Sequence, residues 1–301
     1  MRTPTADGAL QVEQAEETQL SPADRLRAVE LVSRAAELIR LRASVNDLAA
    51  LDRFTEALSH DLSDALARQS FRYHYQPIVW ASSGVVEGYE ATLRWRRGTE
   101  DVIPALFLPL ADELGSIQAI QQRLLAELPA AFAAIPPTAF ISINWSPRQF
   151  LRASAASALI DGLRELQLDP RRVIIEITTR TEPIDAELIR LGVELLRDAG
   201  VQVALDEFGG RFGAVSYLGQ LPIDLVKMDE LLLNGVEHSQ RAVRILAGVI
   251  DFVHHLGLRV VAKGVTTPSQ LSTLRRLGCD LVQGHLFGIP ARQPVPPSSN
   301  M

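Results

Sequence analysis

The sequence predicts an α/β protein, a TIM-like (β/α)8 barrel with an antiparallel first strand, plus an N-terminal helical extension. From residue 71 onward, short apolar runs that end in a polar residue alternate with helical patterns, which is typical of a mostly parallel sheet. Eight such runs suit a closed barrel, whose usual length is roughly 250 residues. Only a short turn containing Gly84 separates the first two runs. Because this turn has too few residues for a helical crossover, we expect the first two strands to be antiparallel.

The predicted strands occupy residues 71–80, 85–93, 139–144, 172–178, 201–206, 224–229, 258–263 and 280–283. Amphipathic helical patterns such as 186–199 and 240–256 lie between them. An open, doubly wound sheet is the alternative that periodicity leaves standing.

The chain is divided by composition into a disordered tail at 1–20, a helical segment at 21–59, the barrel domain at 60–292 and a C-terminal tail at 293–301. In the helical segment, Ser21 is placed to cap a helix whose first turn contains Pro22. One apolar stripe follows, formed by Leu31, Leu38, Leu41, Val45 and Leu48. This helix either packs on its own domain or binds a partner, and a homodimer is left open.

Composition narrows the function classes. A formal charge of −6 provides no basic field for a phosphate backbone, so nucleic acid is not expected as a partner, whereas a small anionic ligand is compatible. The sequence contains no apolar run long enough to span a membrane and no signal-peptide pattern at its start, and its single Cys279 cannot form an internal disulfide. We therefore expect a cytoplasmic protein. Of its 30 basic residues, only Lys227 and Lys263 are lysines.

Polar side chains stand where the predicted strands end, which in a barrel is the rim that carries function. They are Glu90, Asn144, Glu176, Asp206, Asp229, Lys263 and Gln283. Carboxylates that converge from several strands repel one another unless a cation neutralises them, and Mg²⁺ or Mn²⁺ prefers such oxygen ligands.

Seven motifs, in order, resemble the EAL domain over residues 60–292. They are Tyr75-Gln76-Pro77-Ile78-Val79, Gly88-Tyr89-Glu90-Ala91-Thr92-Leu93-Arg94-Trp95, Asn144-Trp145-Ser146-Pro147-Arg148-Gln149-Phe150, Glu176-Ile177-Thr178, Asp206-Glu207-Phe208-Gly209, Leu221-Pro222-Ile223-Asp224 with Lys227-Met228-Asp229, and Gly278-Cys279-Asp280 with Gln283-Gly284. The resemblance implies a barrel with an antiparallel first strand and the Mg²⁺- or Mn²⁺-dependent hydrolysis of cyclic di-GMP to the linear dinucleotide.

The resemblance also implies roles for individual residues. Glu90, Asn144, Glu176 and Asp206 match ligands of the family's first metal, and Asp229 and Glu207 match positions around its second metal. Lys227 matches the lysine that holds the attacking water. The positions implied to contact the dinucleotide are Gln76, Pro77, Leu93, Arg94, Asp112, Gln283, Gly284 and Pro290.

Three departures from the family pattern are moderate. Thr92 replaces a leucine of the signature, which is a small packing change, and Glu207 replaces a second aspartate, which shifts a carboxylate by one methylene. The loop 209–215 has lost small polar residues and gained Arg211. Since this loop couples the metal site to the dimer contact in active relatives, it is a second candidate surface for a protein partner.

The largest departure is Lys263, which stands where the family has the glutamate proposed as general base. An ammonium cannot accept a proton unless its pKa is strongly lowered, and nearby carboxylates raise it instead. The added positive charge also makes a second metal ion less favourable, so Mg²⁺ or Mn²⁺ is expected at the first site alone. We expect Lys263 to pair with the carboxylates; the alternative is an ordinary surface lysine.

The sequence therefore predicts a degenerate EAL domain that binds cyclic di-GMP without hydrolysing it. Two alternatives remain: a slow Mg²⁺- or Mn²⁺-dependent phosphodiesterase, and a nucleotide-independent scaffold for protein partners.

Overall fold

The computed structural model describes residues 61–297, except 63, 69, 99, 103, 151–152, 179–185 and 211–214. The predicted tail 1–20, the helical segment 21–59, most of the predicted loop change at 209–215 and the last residues of the C-terminal tail thus lie outside the described residues. None of the helices in the described part is long and apolar enough to cross a membrane.

Within the described residues, nine strands form one sheet. They are β1 (Phe71–Trp80), β2 (Val86–Arg97), β3 (Glu100–Val102), β4 (Phe140–Trp145), β5 (Val173–Thr178), β6 (Gln202–Phe208), β7 (Leu225–Met228), β8 (Arg259–Ala262) and β9 (Leu281–Gln283). Strand β1 pairs antiparallel with both β2 and β9, while the pairs from β2–β4 through β8–β9 are parallel. Because β1 has a neighbour on each side, the sheet closes, and the predicted barrel with its antiparallel first strand is confirmed.

Helices follow most parallel strands, as a barrel requires. They are α1 (Pro104–Glu113), α2 (Ile117–Leu125), α3 (Leu128–Ala133), α4 (Pro147–Phe150), α5 (Ala153–Glu165), α6 (Ala186–Asp198), α7 (Val215–Gln220), α8 (Gln240–His255) and α9 (Pro268–Arg276). Single-turn 3-10 helices occupy Pro170–Arg172 and Glu230–Leu233.

One layer of apolar side chains closes the barrel interior beneath the polar ends of the strands. Seven strands contribute one residue each: Ile78, Phe140, Ile174, Ala204, Leu225, Val261 and Leu281. Strand β2 contributes Gly88, where a Cβ would lie 2.5 Å from the ring of Phe140, so the glycine makes room for that ring. This packed floor leaves the carboxyl ends of the strands as the open end of the barrel.

The predicted strand boundaries differ from the observed ones mainly in the first hairpin. Strand β2 continues to Arg97 instead of ending near residue 93, and it pairs there with the short strand β3, which the sequence did not indicate. Alternation explains the extension: Trp95 is buried on one face while Arg94 and Arg96 lie on the other. As a result, β1 and β2 project as a ribbon beyond the barrel rim.

Candidate functional site

Most of the polar residues predicted at the strand ends meet in one hydrogen-bonded cluster inside the open end of the barrel. The cluster contains Gln76, Glu90, Asn144, Glu176, Asp206, Lys227, Lys263 and Gln283. These residues come from eight strands or their ends, which is why they are far apart in sequence and adjacent in space.

The deepest part of the cluster is organised by Lys227 on β7. Its Nζ lies 2.7 Å from Oε2 of Glu90 and 2.6 Å from Oε1 of Glu176, and its side chain has no exposed area. A fully buried ammonium is tolerated only when it is paired and hydrogen-bonded, and two carboxylates satisfy that condition here.

Glu90 also receives two amide donors. Nδ2 of Asn144 donates to its Oε1 at 2.8 Å, and Nε2 of Gln283 donates to its Oε2 at 2.8 Å. The chain of amides continues outward, because Gln283 also donates to Oε1 of Gln76 at 3.0 Å, and Gln76 donates to the carbonyl of Gly288 at 3.0 Å. The carboxylate of Glu90 is therefore held by neutral and charged donors together.

Nearer the opening, Lys263 binds Asp206. Its Nζ lies 2.8 Å from both Oδ1 and Oδ2 of that carboxylate, and 23% of its side chain is exposed, against 4% for Asp206. The side chain thus points into the barrel mouth and is not an ordinary surface lysine. Oδ1 of Asp206 also accepts a hydrogen bond from the N–H of Glu207 at 2.8 Å.

The backbone at Glu207 is strained in a way that the sequence does not reveal. Its φ is 63°, in the left-handed region that residues with a side chain rarely adopt, and the β6–β7 register is interrupted between Leu205 and Phe208. This bulge leaves both Asp206 and Glu207 buried at adjacent positions, although strict alternation would send one of them outward.

Burial and neighbouring charges together set the pKa values in the cluster. Burial alone would raise the pKa of Glu90, but the ammoniums of Lys227 and Lys263 outweigh it and hold that pKa well below its usual range. Burial, reinforced by Glu90, raises the pKa of Glu176 to about 7. Burial would lower the pKa of Lys263, yet Asp206 first and Glu90 next raise it above its ordinary value. Lys263 is accordingly held in its charged form more firmly than an ordinary lysine.

Two ammonium groups contact carboxylates that the sequence predicts as metal ligands. Within the described part of the chain, no group of three or more His, Cys, Asp or Glu side chains is placed to hold a metal ion. The reason is visible in the contacts: one ammonium spans Glu90 and Glu176, and the other occupies both oxygens of Asp206. The Oε2 atom of Glu176 is buried with no hydrogen-bond partner in the described residues, so one acceptor remains for a further donor or cation.

Asp229, predicted as a metal ligand, has a local structural contact. Strand β7 ends one residue before it, at Met228, and its Oδ1 accepts a hydrogen bond from the N–H of Leu231 at 2.8 Å, which caps the 3-10 helix Glu230–Leu233. Its Oδ2 faces the backbone of Gly210, where a Cβ would lie only 2.9 Å away. This capping contact is a structural role for the aspartate, and its role as a metal ligand stays a prediction.

The remaining predicted ligand contacts are unevenly placed. Arg94 is half-buried on the same strand face as Glu90 and donates to the carbonyl of Leu93 at 2.9 Å, whereas Leu93 itself lies on the opposite face. Asp112 lies on α1, and its side chain is outside the described residues.

The backbone around Gln76 is shaped by one glycine and two prolines of the predicted set, and by Gly288, which the sequence did not indicate. A Cβ at Gly284 would lie 2.1 Å from the carbonyl oxygen of Val265, so the glycine permits a close backbone approach. Pro77 is buried against Gly288, and Pro290 is half-buried beside the bridge between Tyr75 and Ala291.

An apolar groove lies on the outside of the barrel. Gly209 and Val215, at the two ends of the altered loop, line this groove with Phe208, Ile245 and Phe252, the last of which stacks on Phe208 at 6.3 Å between ring centroids. Val215, Ile245 and Phe252 each expose 40% or more of their area. The groove is a surface of the kind that contacts proteins.

Comparison with known proteins agrees with the geometry. The family model described as the EAL domain matches residues 59–290. The bifunctional diguanylate cyclase/cyclic di-GMP phosphodiesterase MucR of Pseudomonas aeruginosa is 34% identical over 238 residues, covering 77% of this chain and 35% of MucR. The cyclic di-GMP phosphodiesterase NbdA of the same species is 31% identical over 238 residues, covering 77% of this chain and 30% of NbdA.

Among solved structures, the PaMucR phosphodiesterase in complex with c-di-GMP superposes with a TM-score of 0.71 at 32% identity, covering 78% of this chain and 97% of that one. The chain spans about a third of the length of these curated relatives.

Proposed function

The chain belongs to the EAL domain family, and on that premise we propose that it is a signalling protein that binds cyclic di-GMP without hydrolysing it. EAL domains generally depend on divalent metal ions for hydrolysis. The observation that carries the proposal is the Lys263 ammonium, which lies 2.8 Å from both carboxylate oxygens of Asp206 at the mouth of the site.

The substitution removes a proton acceptor and adds positive charge. Hydrolysis needs a group that accepts a proton from water, and a missing acid/base group typically lowers a rate by ~10²–10⁴. Lys263 has no lone pair to offer while it is protonated, and its carboxylate neighbours keep it protonated because they raise its pKa. An exposed fraction of 23% leaves this cation within reach of a phosphate that enters the barrel mouth.

Retained groups support recognition of the dinucleotide. Gln76 and Gln283 are hydrogen-bonded to each other, and Arg94 faces the same side of β2 as Glu90. In the PaMucR phosphodiesterase, which is 32% identical, the solved structure contains c-di-GMP. We infer that the ammonium of Lys263 takes over part of the neutralisation that a cation provides in relatives, so that binding requires no added metal.

A slow phosphodiesterase is the second candidate, and the unpartnered Oε2 of Glu176 favours it. A carboxylate oxygen buried without a donor is costly and suits a hard cation such as Mg²⁺ or Mn²⁺. In this chain such an ion must compete with Lys263 for Asp206. A protein scaffold is the third candidate, supported by the apolar groove beside Gly209 and Val215.

Calorimetry followed by product analysis separates the candidates. We expect cyclic di-GMP to bind. Its affinity should change by less than about twofold when EDTA, or about 5–10 equivalents of Mg²⁺ or Mn²⁺, is added, because the Lys263 cation is part of the chain and cannot be chelated. No linear product should accumulate. Brisk turnover by the wild-type protein supports the phosphodiesterase instead, and absence of binding supports the scaffold.

Lys263→Glu tests the cause. It should make binding of cyclic di-GMP dependent on Mg²⁺ or Mn²⁺ and should raise any hydrolysis by at least about tenfold, because the site regains an acceptor. Arg276→Glu is the matched control, since it makes the same change in net charge on an exposed residue at the last turn of α9, which leads to the other end of the barrel. The proposal is wrong if Lys263→Glu and Arg276→Glu behave alike.

A further inference from the structure

A second ring of inward-facing side chains lies directly above the apolar floor of the barrel, and all of its members are polar. Each lies two positions from a floor residue, toward the mouth, so the two share one face of their strand. The members of the ring are Gln76, Glu90, Ser142, Glu176, Asp206, Lys227, Lys263 and Gln283. Ser142 is the one member with no part in the ion pairs and hydrogen bonds of the cluster described above.

Four hydrogen-bonding groups of this ring are buried without a partner. Oγ of Ser142, Oε2 of Glu176 and Oε1 of Gln283 form no hydrogen bond with the described residues, and none of the three side chains belongs to a residue more than 2% exposed. Lys227 donates two of its three N–H bonds, one to Glu90 and one to Glu176, and the third finds no acceptor in the described part of the chain. Buried polar groups are almost always paired, so four of them together indicate a missing occupant.

The four groups lie close together. Nε2 of Gln283 and Nζ of Lys227 contact the same oxygen, Oε2 of Glu90. Glu90 is the register neighbour of Ser142 on the adjacent strand β4. On the other side of β4, Glu176 of β5 is the diagonal neighbour of Ser142, roughly 8 Å away between Cα atoms at a strand spacing of ~4.8 Å and a rise of ~3.3 Å per residue. Their side chains form no direct hydrogen bond, and water commonly bridges polar groups separated in this way.

The chemistry of the four groups matches one water molecule. Oε2 of Glu176 and Oε1 of Gln283 are acceptors, whereas the third N–H of Lys227 and the hydroxyl of Ser142 can donate. A water has two O–H donors and two lone pairs, and a buried water typically makes about three hydrogen bonds. A cation would pair with the two acceptors, but the ammonium of Lys227 would repel it at close range.

We propose that the barrel holds one ordered water between Ser142 and Glu176. The water donates to Oε2 of Glu176 and to Oε1 of Gln283, and it accepts from Lys227 and from Ser142. The inference deepens the proposed function and rests on it, because it explains how the site binds its ligand without an added metal ion. A water that the chain itself holds satisfies the oxygen of Glu176 that otherwise suits a hard cation.

High-resolution crystal structures of the full chain test the assignment directly. Crystals grown with EDTA, and the same crystals soaked in Mn²⁺, should both show a density peak about 2.7–3.2 Å from Oγ of Ser142 and from Oε2 of Glu176. This peak should give no anomalous signal. A Mn²⁺ anomalous peak beside Oε2 of Glu176 overturns the inference and favours the slow phosphodiesterase, and an absence of density between the two side chains also overturns it.

Unfolding of Ser142→Ala in urea gives a second measurement, and its sign separates the two cases. If the hydroxyl holds the water, its loss should lower the urea midpoint by about 0.3–0.5 M. If the hydroxyl has no partner, its removal should leave the midpoint unchanged or raise it, because an unpaired buried polar group is costly. Ser82→Ala makes the same change at an exposed turn position and is the matched control, which should stay within about 0.1 M of wild type.

The outcomes for the water and for the ligand are independent. A midpoint that is unchanged or raised in Ser142→Ala overturns the inference, while binding of cyclic di-GMP by the wild-type protein still supports the proposed function. Wild-type protein that contains the water and does not bind cyclic di-GMP contradicts the proposed function instead, and with it the link between the water and a metal-free ligand site.

Discussion

The two lysines of the chain occupy neighbouring positions in one site and hold it in different ways. Lys227 is completely buried and bridges two carboxylates from different strands, Glu90 and Glu176. Lys263 is partly exposed, and its ammonium contacts both oxygens of a single carboxylate, that of Asp206. The floor of the site is therefore built around a structural ion triad, whereas the mouth contains a cation that a ligand can reach.

This difference shows why one substitution can alter chemistry without dismantling the fold. At the floor, each partner is desolvated and depends on the others, so loss of one leaves an uncompensated buried charge. At the mouth, Asp206 keeps the N–H of Glu207 as a second donor, and solvent can approach Lys263. Replacing a carboxylate by an ammonium therefore costs less stability at the mouth of the site than at its floor.

Lys227→Met should have the largest effect on stability. It leaves Glu90 and Glu176 buried side by side with no bridging cation, and breaking a buried ion pair by removing one partner typically costs ~3–5 kcal/mol. Urea denaturation followed by circular dichroism measures the loss. A loss below about 1 kcal/mol would show that the two carboxylates share a proton and do not need the ammonium.

Lys263→Met should cost less, about 1–3 kcal/mol, the range for removing a charged hydrogen-bond partner. Asp206 retains its backbone donor, and the mouth is accessible to water. The same denaturation experiment compares the two variants directly, and Arg276→Met controls for loss of an exposed cation. If Lys263→Met is as destabilising as Lys227→Met, the division between floor and mouth is wrong.

Much of the barrel could be predicted from the sequence because each strand ends in a recognisable apolar-to-polar transition. The antiparallel first pair followed from the short turn at Gly84, and the register of β1 and β2 bears this out. The prediction missed strand β3 and the extension of β2 to Arg97, because Arg96 and Arg97 look like the start of a loop. Alternation around the buried Trp95 was the signal that indicated otherwise.

The sequence indicated which residues form the cluster, and it did not indicate which of them contact one another. Sequence pattern placed Glu90, Glu176 and Asp206 at strand ends, but it did not indicate which carboxylate each ammonium would bind. The positive φ of Glu207 has no sequence signal, since a glutamate rarely adopts it. The amide chain through Gln283 depends on the antiparallel contact of β1 with β9, which only the closed barrel creates.

Variants of Asp229 test whether this residue belongs to the ligand site. The structure gives it a capping contact with the N–H of Leu231 instead of a place among the hydrogen bonds of the cluster, so Asp229→Ala should cost about 1 kcal/mol of stability as a lost cap. Asp229→Asn retains a capping oxygen and should cost less than about 0.5 kcal/mol. Both variants should bind cyclic di-GMP within about twofold of wild type, because a cap acts on local stability and not on the ligand. A loss of cyclic di-GMP binding in Asp229→Asn with stability unchanged would place this carboxylate in the mouth of the site, because removal of its charge alone would then have acted on the ligand.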